Sequence, residues 1–186
     1  MKIQDVAVIG AGPLGRRLAA RISGAGFNTV LEDILPSNLR KASDYLTGGD
    51  PKDQVYRGNL RFASSIEDAV RTADLIVDCV PDELESKLEI FSLLDRMAPP
   101  EAIFVTPTRS LSIADLASCT YRSDRCIAVE LASGELAGEK TIRIVSTSLT
   151  SPEVLDAVTR FWERAGFAVE TKIDSMEASV ANGTLF

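Results

Sequence analysis

Short apolar runs of strand length alternate with stretches of helical spacing along most of this chain. Residues 2–9 read as a first strand and 13–23 as a helix, with Pro13 where a missing N–H costs nothing. The GAGF of 24–27 closes that helix. A second strand spans 28–32, and a second helix spans 37–46 behind Pro36. The TGGDPKDQ of 47–54 is a loop. A third strand covers 60–63, and Ser65 caps the helix that follows, with Asp68 three residues on. The DLIVDCV of 74–80 reads as a buried fourth strand. Residues 82–97 carry a helical stripe of Leu84, Leu88, Phe91 and Leu94, stopped by Pro99 and Pro100. A fifth strand lies at 102–106 and a short helix at 112–118, capped by Ser112. Two more strands follow at 125–131 and 141–146, then an amphipathic helix at 151–165 and a last strand at 167–172.

This order calls for a doubly wound, mostly parallel sheet with helices on both faces, a Rossmann-like α/β fold. Residues 1–174 are expected to form one dinucleotide-binding domain, with 175–186 as a short C-terminal tail.

Composition narrows the partners. A net charge of −7 argues against nucleic acid, whose phosphates it repels. No apolar run approaches the ~20 residues that span a bilayer. The opening MKIQDVAVIG lacks the apolar core of a signal peptide, so a cytoplasmic location and no membrane partner are expected. Cys79, Cys119 and Cys126 are an odd set without CxxC spacing, which is not a disulfide framework. Cys79 and Cys126 sit in apolar runs and read as small buried hydrophobes. The chain has no histidine, so no metal site of the usual zinc kind is expected. Any general acid or base must be another residue type.

The chemistry concentrates at the first turn. Gly10, Gly12 and Gly15 form G-x-G-x-x-G between a strand and a helix. The motif serves a tight turn, close backbone approach to a pyrophosphate, and close helix–strand packing. Pro13 and Leu14 open the helix whose N–H groups face the anion. An acid for the adenosine ribose is expected about 20 residues on. Asp33, beside Glu32, is eighteen residues after Gly15. Two acids there repel a 2′-phosphate and favour NAD over NADP; FAD uses the same fingerprint. A glycine corner that binds nothing is the plainer alternative.

With these residues in view, the chain resembles the NAD-binding domain of the 3-hydroxyacyl-CoA dehydrogenase family. The resemblance covers nearly the whole chain. Its carriers are VAVIGAGPLGRRLA (6–19), TVLEDI (29–34), the long stretch from Leu60 to Ala117, and 151–175. The family has Ala-Val-Pro-Glu after the fourth strand and Asn-Thr-Ser-Ser-Leu-Ser-Ile after the fifth, loops that approach the nicotinamide ribose and the substrate. Carried over, Val80, Pro81, Asp82 and Lys87 lie near the nicotinamide end of the cofactor. A solvated lysine and a strand-ending proline are the structural alternatives.

The resemblance also has gaps. The family's catalytic serine falls on Arg109 and its preceding asparagine on Pro107. The histidine falls on Glu130, and the glutamate that orients it on Arg143 or Ile142, depending on loop length. The other family asparagine persists as Asn182. The family's excursion that contacts coenzyme A corresponds to the shorter residues 47–59, and the family's helical C-terminal domain is not expected within residues 1–186. Asn182 and Glu130 are thus the two catalytic candidates. Glu130 serves as a base only if burial raises its pKa. A salt bridge with Arg143 on the neighbouring strand is the favoured reading, and it makes a poorer base. Arg109 reads equally as an anion-binding residue or a solvated loop arginine.

Two functions follow. The first is an NAD-binding oxidoreductase, as the resemblance implies, acting on a small-molecule substrate such as an acyl-CoA or a hydroxy acid. The second is a non-catalytic NAD(H)-binding sensor or subunit. Leu185 and Phe186 in the tail are expected to dock on the sheet or on a partner subunit, giving a homodimer.

Overall fold

In a computed structural model, residues 1–47, 59–131 and 140–174 are described. Eight strands form one sheet: β1 (Asp5–Ile9), β2 (Asn28–Glu32), β3 (Leu60–Ala63), β4 (Leu75–Asp78), β5 (Ile103–Pro107), β6 (Cys126–Glu130), β7 (Thr141–Ser146) and β8 (Ala168–Ile173). The helices are α1 (Pro13–Gly24), α2 (Pro36–Thr47), α3 (Ile66–Val70), α4 (Leu84–Met97), α5 (Ile113–Ala117) and α6 (Pro152–Arg164). The strand order is β3-β2-β1-β4-β5-β6-β7-β8. Every neighbouring pair is parallel except β6 and β7. This is the expected doubly wound α/β sheet.

Side chains alternate across each inner strand, and the two faces fill separately. Val6, Val8, Leu75, Val77, Ile103, Val105, Ile127 and Val129 pack with α1 and α6. Ala7, Ile9, Ile76, Phe104, Cys126 and Ala128 pack with α3, α4 and α5. On the first face, Phe27, Phe161, Trp162 and Phe167 form a run of ring contacts with centroids 4.8–5.6 Å apart. Arg21 and Arg164 close that face by lying over Phe167 and Phe27, with their guanidinium carbons 3.9 and 4.2 Å from the ring centroids.

A buried polar cluster ties the second face together. The Lys87 ammonium donates to Asp78 Oδ2 at 3.0 Å and to Thr106 Oγ1 at 2.8 Å. The Thr106 hydroxyl donates to the same carboxylate oxygen, and Asp78 Oδ1 accepts the Val80 N–H. Helix α4 is thereby tied to the ends of β4 and β5. The resemblance puts Lys87 near the nicotinamide end, and its ammonium sits at the carboxyl ends of β4 and β5. Its side chain is fully buried, on the stripe it shares with Ile90, Phe91 and Leu94. The reason is Asp78: a carboxylate in an apolar strand requires a partner, and Lys87 supplies it from the inner face of α4.

Removing one member of a buried pair leaves the other uncompensated. Lys87→Met is expected to cost about 3–5 kcal/mol in urea unfolding. Adding Asp78→Asn should recover part of that loss. A single mutant as stable as the parent would show that the pair does not hold the strand ends.

Candidate functional site

The turn after β1 is built by close approach. Gly10 has φ +98°, and a Cβ there would lie 3.0 Å from the Cys79 carbonyl oxygen. At Gly15 a Cβ would fall 1.8 Å from the Gly10 carbonyl oxygen, so α1 rests directly on the turn. Gly12 is different, because a Cβ there meets nothing within 4 Å. Packing explains two of the three glycines, and the third faces open space beside the start of α1. That helix has no side-chain cap and no acid in its first turn, and Pro13 begins it. Its amide end is therefore open to an anion.

Asp33 closes the other side of this space. Its Oδ2 accepts from the Ala11 N–H at 2.9 Å and from the Asn38 side-chain amide at 3.0 Å; its Oδ1 accepts from the Leu35 N–H at 2.8 Å. A carboxylate offers about four acceptor positions, so one remains for a ribose hydroxyl. Asn38 is a positioning residue that no sequence argument raised. An amide five residues after an acid, in the first turn of a helix, is its only signal. The neighbouring Glu32 is buried, and burial with the adjacent Asp33 charge pushes its carboxyl up to about 7. These features fit an adenosine diphosphate: free space over Gly12, open helix amides, and an anchored acid.

Two cavities follow, one along the carboxyl ends of β4, β5 and β6, where ligands bind in open α/β sheets, and one from the end of β6 over the amino half of β7. The first, about 230 Å³, is lined by Leu14, Cys79, Val80, Asp82, Thr108 and Arg109 among others. Val80 and Asp82 thus face it, Pro81 beside them is exposed, and Lys87 lies beneath. Burial pushes the Cys79 thiol well up, and the Cys126 thiol to about 12, so neither is poised as a thiolate. The second cavity, about 360 Å³, lies over β6, β7 and β8 and shares Arg109 and Leu131 with the first.

Glu130 lines this second cavity inside a ladder of charges. Its Oε2 pairs with Arg143 at 3.3 Å and its Oε1 with Lys172. Arg143 also pairs with Glu170 at 2.9 Å. Register brings these together: Glu130 opposes Arg143 across β6 and β7, and Arg143 opposes Glu170 across β7 and β8. Of the two readings of Glu130, the geometry is that of the ion pair with Arg143. Asn182, the tail with Leu185 and Phe186, and most of the 47–59 loop lie outside the described residues. Among the described residues no group of acids or cysteines is arranged to hold a metal ion. No described helix is long and apolar enough to cross a membrane.

The chain is similar to known proteins in sequence and in fold. The family model described as 3-hydroxyacyl-CoA dehydrogenase, NAD binding domain, matches residues 5–171. The mitochondrial hydroxyacyl-coenzyme A dehydrogenase of Sus scrofa is 31% identical over 180 residues, covering 88% of this chain and 57% of the relative. A probable 3-hydroxybutyryl-CoA dehydrogenase of Bacillus subtilis is 26% identical over 196 residues, covering the whole chain and 67% of the relative. A diketoreductase structure superposes with a TM-score of 0.85 at 28% identity, covering 92% of this chain and 65% of that one. The chain thus spans little more than half the length of the Sus scrofa relative.

The glycines and Glu32 lead to separate expectations. Gly15→Ala should fail to fold or lose several kcal/mol, because the new methyl meets backbone. Gly12→Ala should keep its unfolding midpoint yet lose NAD affinity, read by calorimetry. Equal stability losses in both would remove the distinction. For Glu32, the native state holds a proton more tightly than the unfolded chain, whose value is near 4.5. Its contribution to stability is present below pH 4.5 and is lost as pH rises through about 7. Glu32→Gln should therefore gain up to about 3 kcal/mol over the parent at pH 8, and little at pH 4. Urea unfolding across that range checks it, and a pH-independent difference would count against it.

Proposed function

The chain belongs to the 3-hydroxyacyl-CoA dehydrogenase family through its NAD-binding domain, and we propose from this that it holds NAD for hydride exchange with a 3-hydroxyacyl-type substrate. The observation that carries the proposal is the cradle over Gly12, open above the glycine and bounded by α1 amides and the Asp33 carboxylate. In this reading Gly10, Gly12, Pro13, Leu14 and Gly15 surround the pyrophosphate, and Asp33 binds the adenosine ribose. Val80, Pro81 and Asp82 border the nicotinamide half.

Held by the α1 amides and Asp33, NAD would supply the hydride acceptor for oxidation of a carbinol carbon. The chain contributes orientation. Val80 is held by its N–H donating to Asp78, and Asp78 in turn by Lys87 and Thr106. The loop after β5 is held to its neighbours: Thr108 N–H donates to the Val129 carbonyl, and Arg109 N–H to Asp82. A rigid wall on this side fixes a bound ring against the sheet ends. Glu130 is assigned no proton transfer, because both of its oxygens are engaged by cations. Asn182 stays proposed as the residue that holds the substrate oxygen, on family resemblance alone.

Calorimetry with NAD and NADP tests the reading. NAD is expected to bind more tightly than NADP, because Glu32 and Asp33 border the ribose. Asp33→Ala should weaken NAD by about 10- to 100-fold, the loss of one charge-assisted hydrogen bond. Reduction of NAD with 3-hydroxybutyryl-CoA and free 3-hydroxy acids, followed by nicotinamide absorbance, then tests turnover. No NAD binding by the folded protein would overturn the proposal.

A further inference from the structure

We propose that Arg109 is a carboxylate-binding residue, and that the substrate reaching the nicotinamide is a small oxo or hydroxy acid with a free carboxylate. This rests on the functional reading above and narrows its substrate class.

Position comes first. Arg109 stands just past the carboxyl end of β5, exposed, at the boundary of the two cavities, where it borders both. A substrate in the larger cavity meets a nicotinamide in the smaller one across this boundary. The backbone under Arg109 is tethered on three sides. Its own N–H donates to Asp82 Oδ2 at 3.0 Å, Thr108 N–H donates to the Val129 carbonyl at 3.1 Å, and Leu111 N–H donates to Thr108 Oγ1 at 3.1 Å. The arginine is therefore presented from a fixed point.

Charge comes second. Among the described residues the Arg109 guanidinium forms no ion pair or hydrogen bond, and the residue's bond to Asp82 is made by its backbone N–H. The other charges of the larger cavity close on one another: Arg143 on Glu130 and Glu170, and Lys172 on Glu130. Asp82, the remaining nearby acid, uses its Oδ2 on the Arg109 N–H. The guanidinium is left without an ion-pair partner at the junction, and Asp82, held by the Arg109 backbone N–H, is the acid beside it. Its planar fork matches a carboxylate through two parallel hydrogen bonds.

An anion at Arg109 has two sources: the carboxylate of a free acid, or a phosphate of coenzyme A. The geometry favours the carboxylate. The larger cavity, an open cleft of about 360 Å³, has room for a small acid in contact with Arg109.

The experiment is calorimetric titration of the NADH-loaded protein with acetoacetate, with methyl acetoacetate, and with acetoacetyl-CoA. Acetoacetate is expected to bind about tenfold or more tighter than its neutral ester. Arg109→Met should remove that preference while NADH affinity stays within about threefold of the parent. Arg109→Lys should restore part of it, because the charge returns without the fork. Equal binding of acid and ester by the parent protein overturns the proposal without any variant. A loss of acetoacetyl-CoA binding in Arg109→Met, with acid and ester unaffected, overturns it in favour of the phosphate. Failure of NADH to bind overturns the functional reading itself and this inference with it. NADH binding with no acid preference overturns the inference alone.

Discussion

The contact between α1 and the turn below it governs the rest of this structure. A Cβ at residue 15 would lie 1.8 Å from the Gly10 carbonyl oxygen, so only a bare backbone lets the helix sit where it does. That seat aims the free amides of α1 outward, above the point where β1 separates its neighbours β2 and β4. Asp33 from the end of β2 then reaches the Ala11 N–H, and the β4 end carries the Cys79 carbonyl against Gly10. Shift the helix outward by one methyl group and all three relations loosen. The anion site is thus a consequence of packing before it is a matter of charge.

Much of this was legible in the chain. Continuous apolar runs of strand length marked the inner strands, because a sheet covered on both sides leaves each inner residue buried on one face or the other. The glycine spacing marked the turn, because Gly10 and Gly15 each answer a separate steric demand and Gly12 leaves open space beside α1. Lys87 was harder. The stripe of Leu84, Leu88, Phe91 and Leu94 turned the expected inner face of α4 by part of a turn. The buried stripe is Lys87, Ile90, Phe91 and Leu94, while Leu84 is exposed. The missed signal was Asp78, an acid inside a four-residue strand buried along its whole length. Such an acid calls for a cation, and Lys87 is the lysine on the facing helix.

The charge ladder shows a different limit. Pairing between Glu130 and Arg143 was readable because their strands follow one another and lie antiparallel. Glu170 and Lys172 arrive from β8, which α6 carries back to run parallel with β7. Their register depends on how α6 packs on the sheet through its own Phe161 and Trp162, a tertiary matter that local spacing does not encode. Two cations therefore meet Glu130 where the sequence offered one.

These placements bear on how an acidic protein binds an anionic cofactor. Long-range attraction is absent at a net charge of −7, so binding must come from dipoles and from silenced negative groups near the diphosphate. Both are present. The first turn of α1 carries no acid, and its amides are uncapped. Asp33 spends its charge on three N–H donors. Glu32, raised to about 7, carries only part of a charge at neutral pH. Burial that is costly for Glu32 in the fold thus reduces repulsion at the site, and the local field there is set by backbone rather than by net charge.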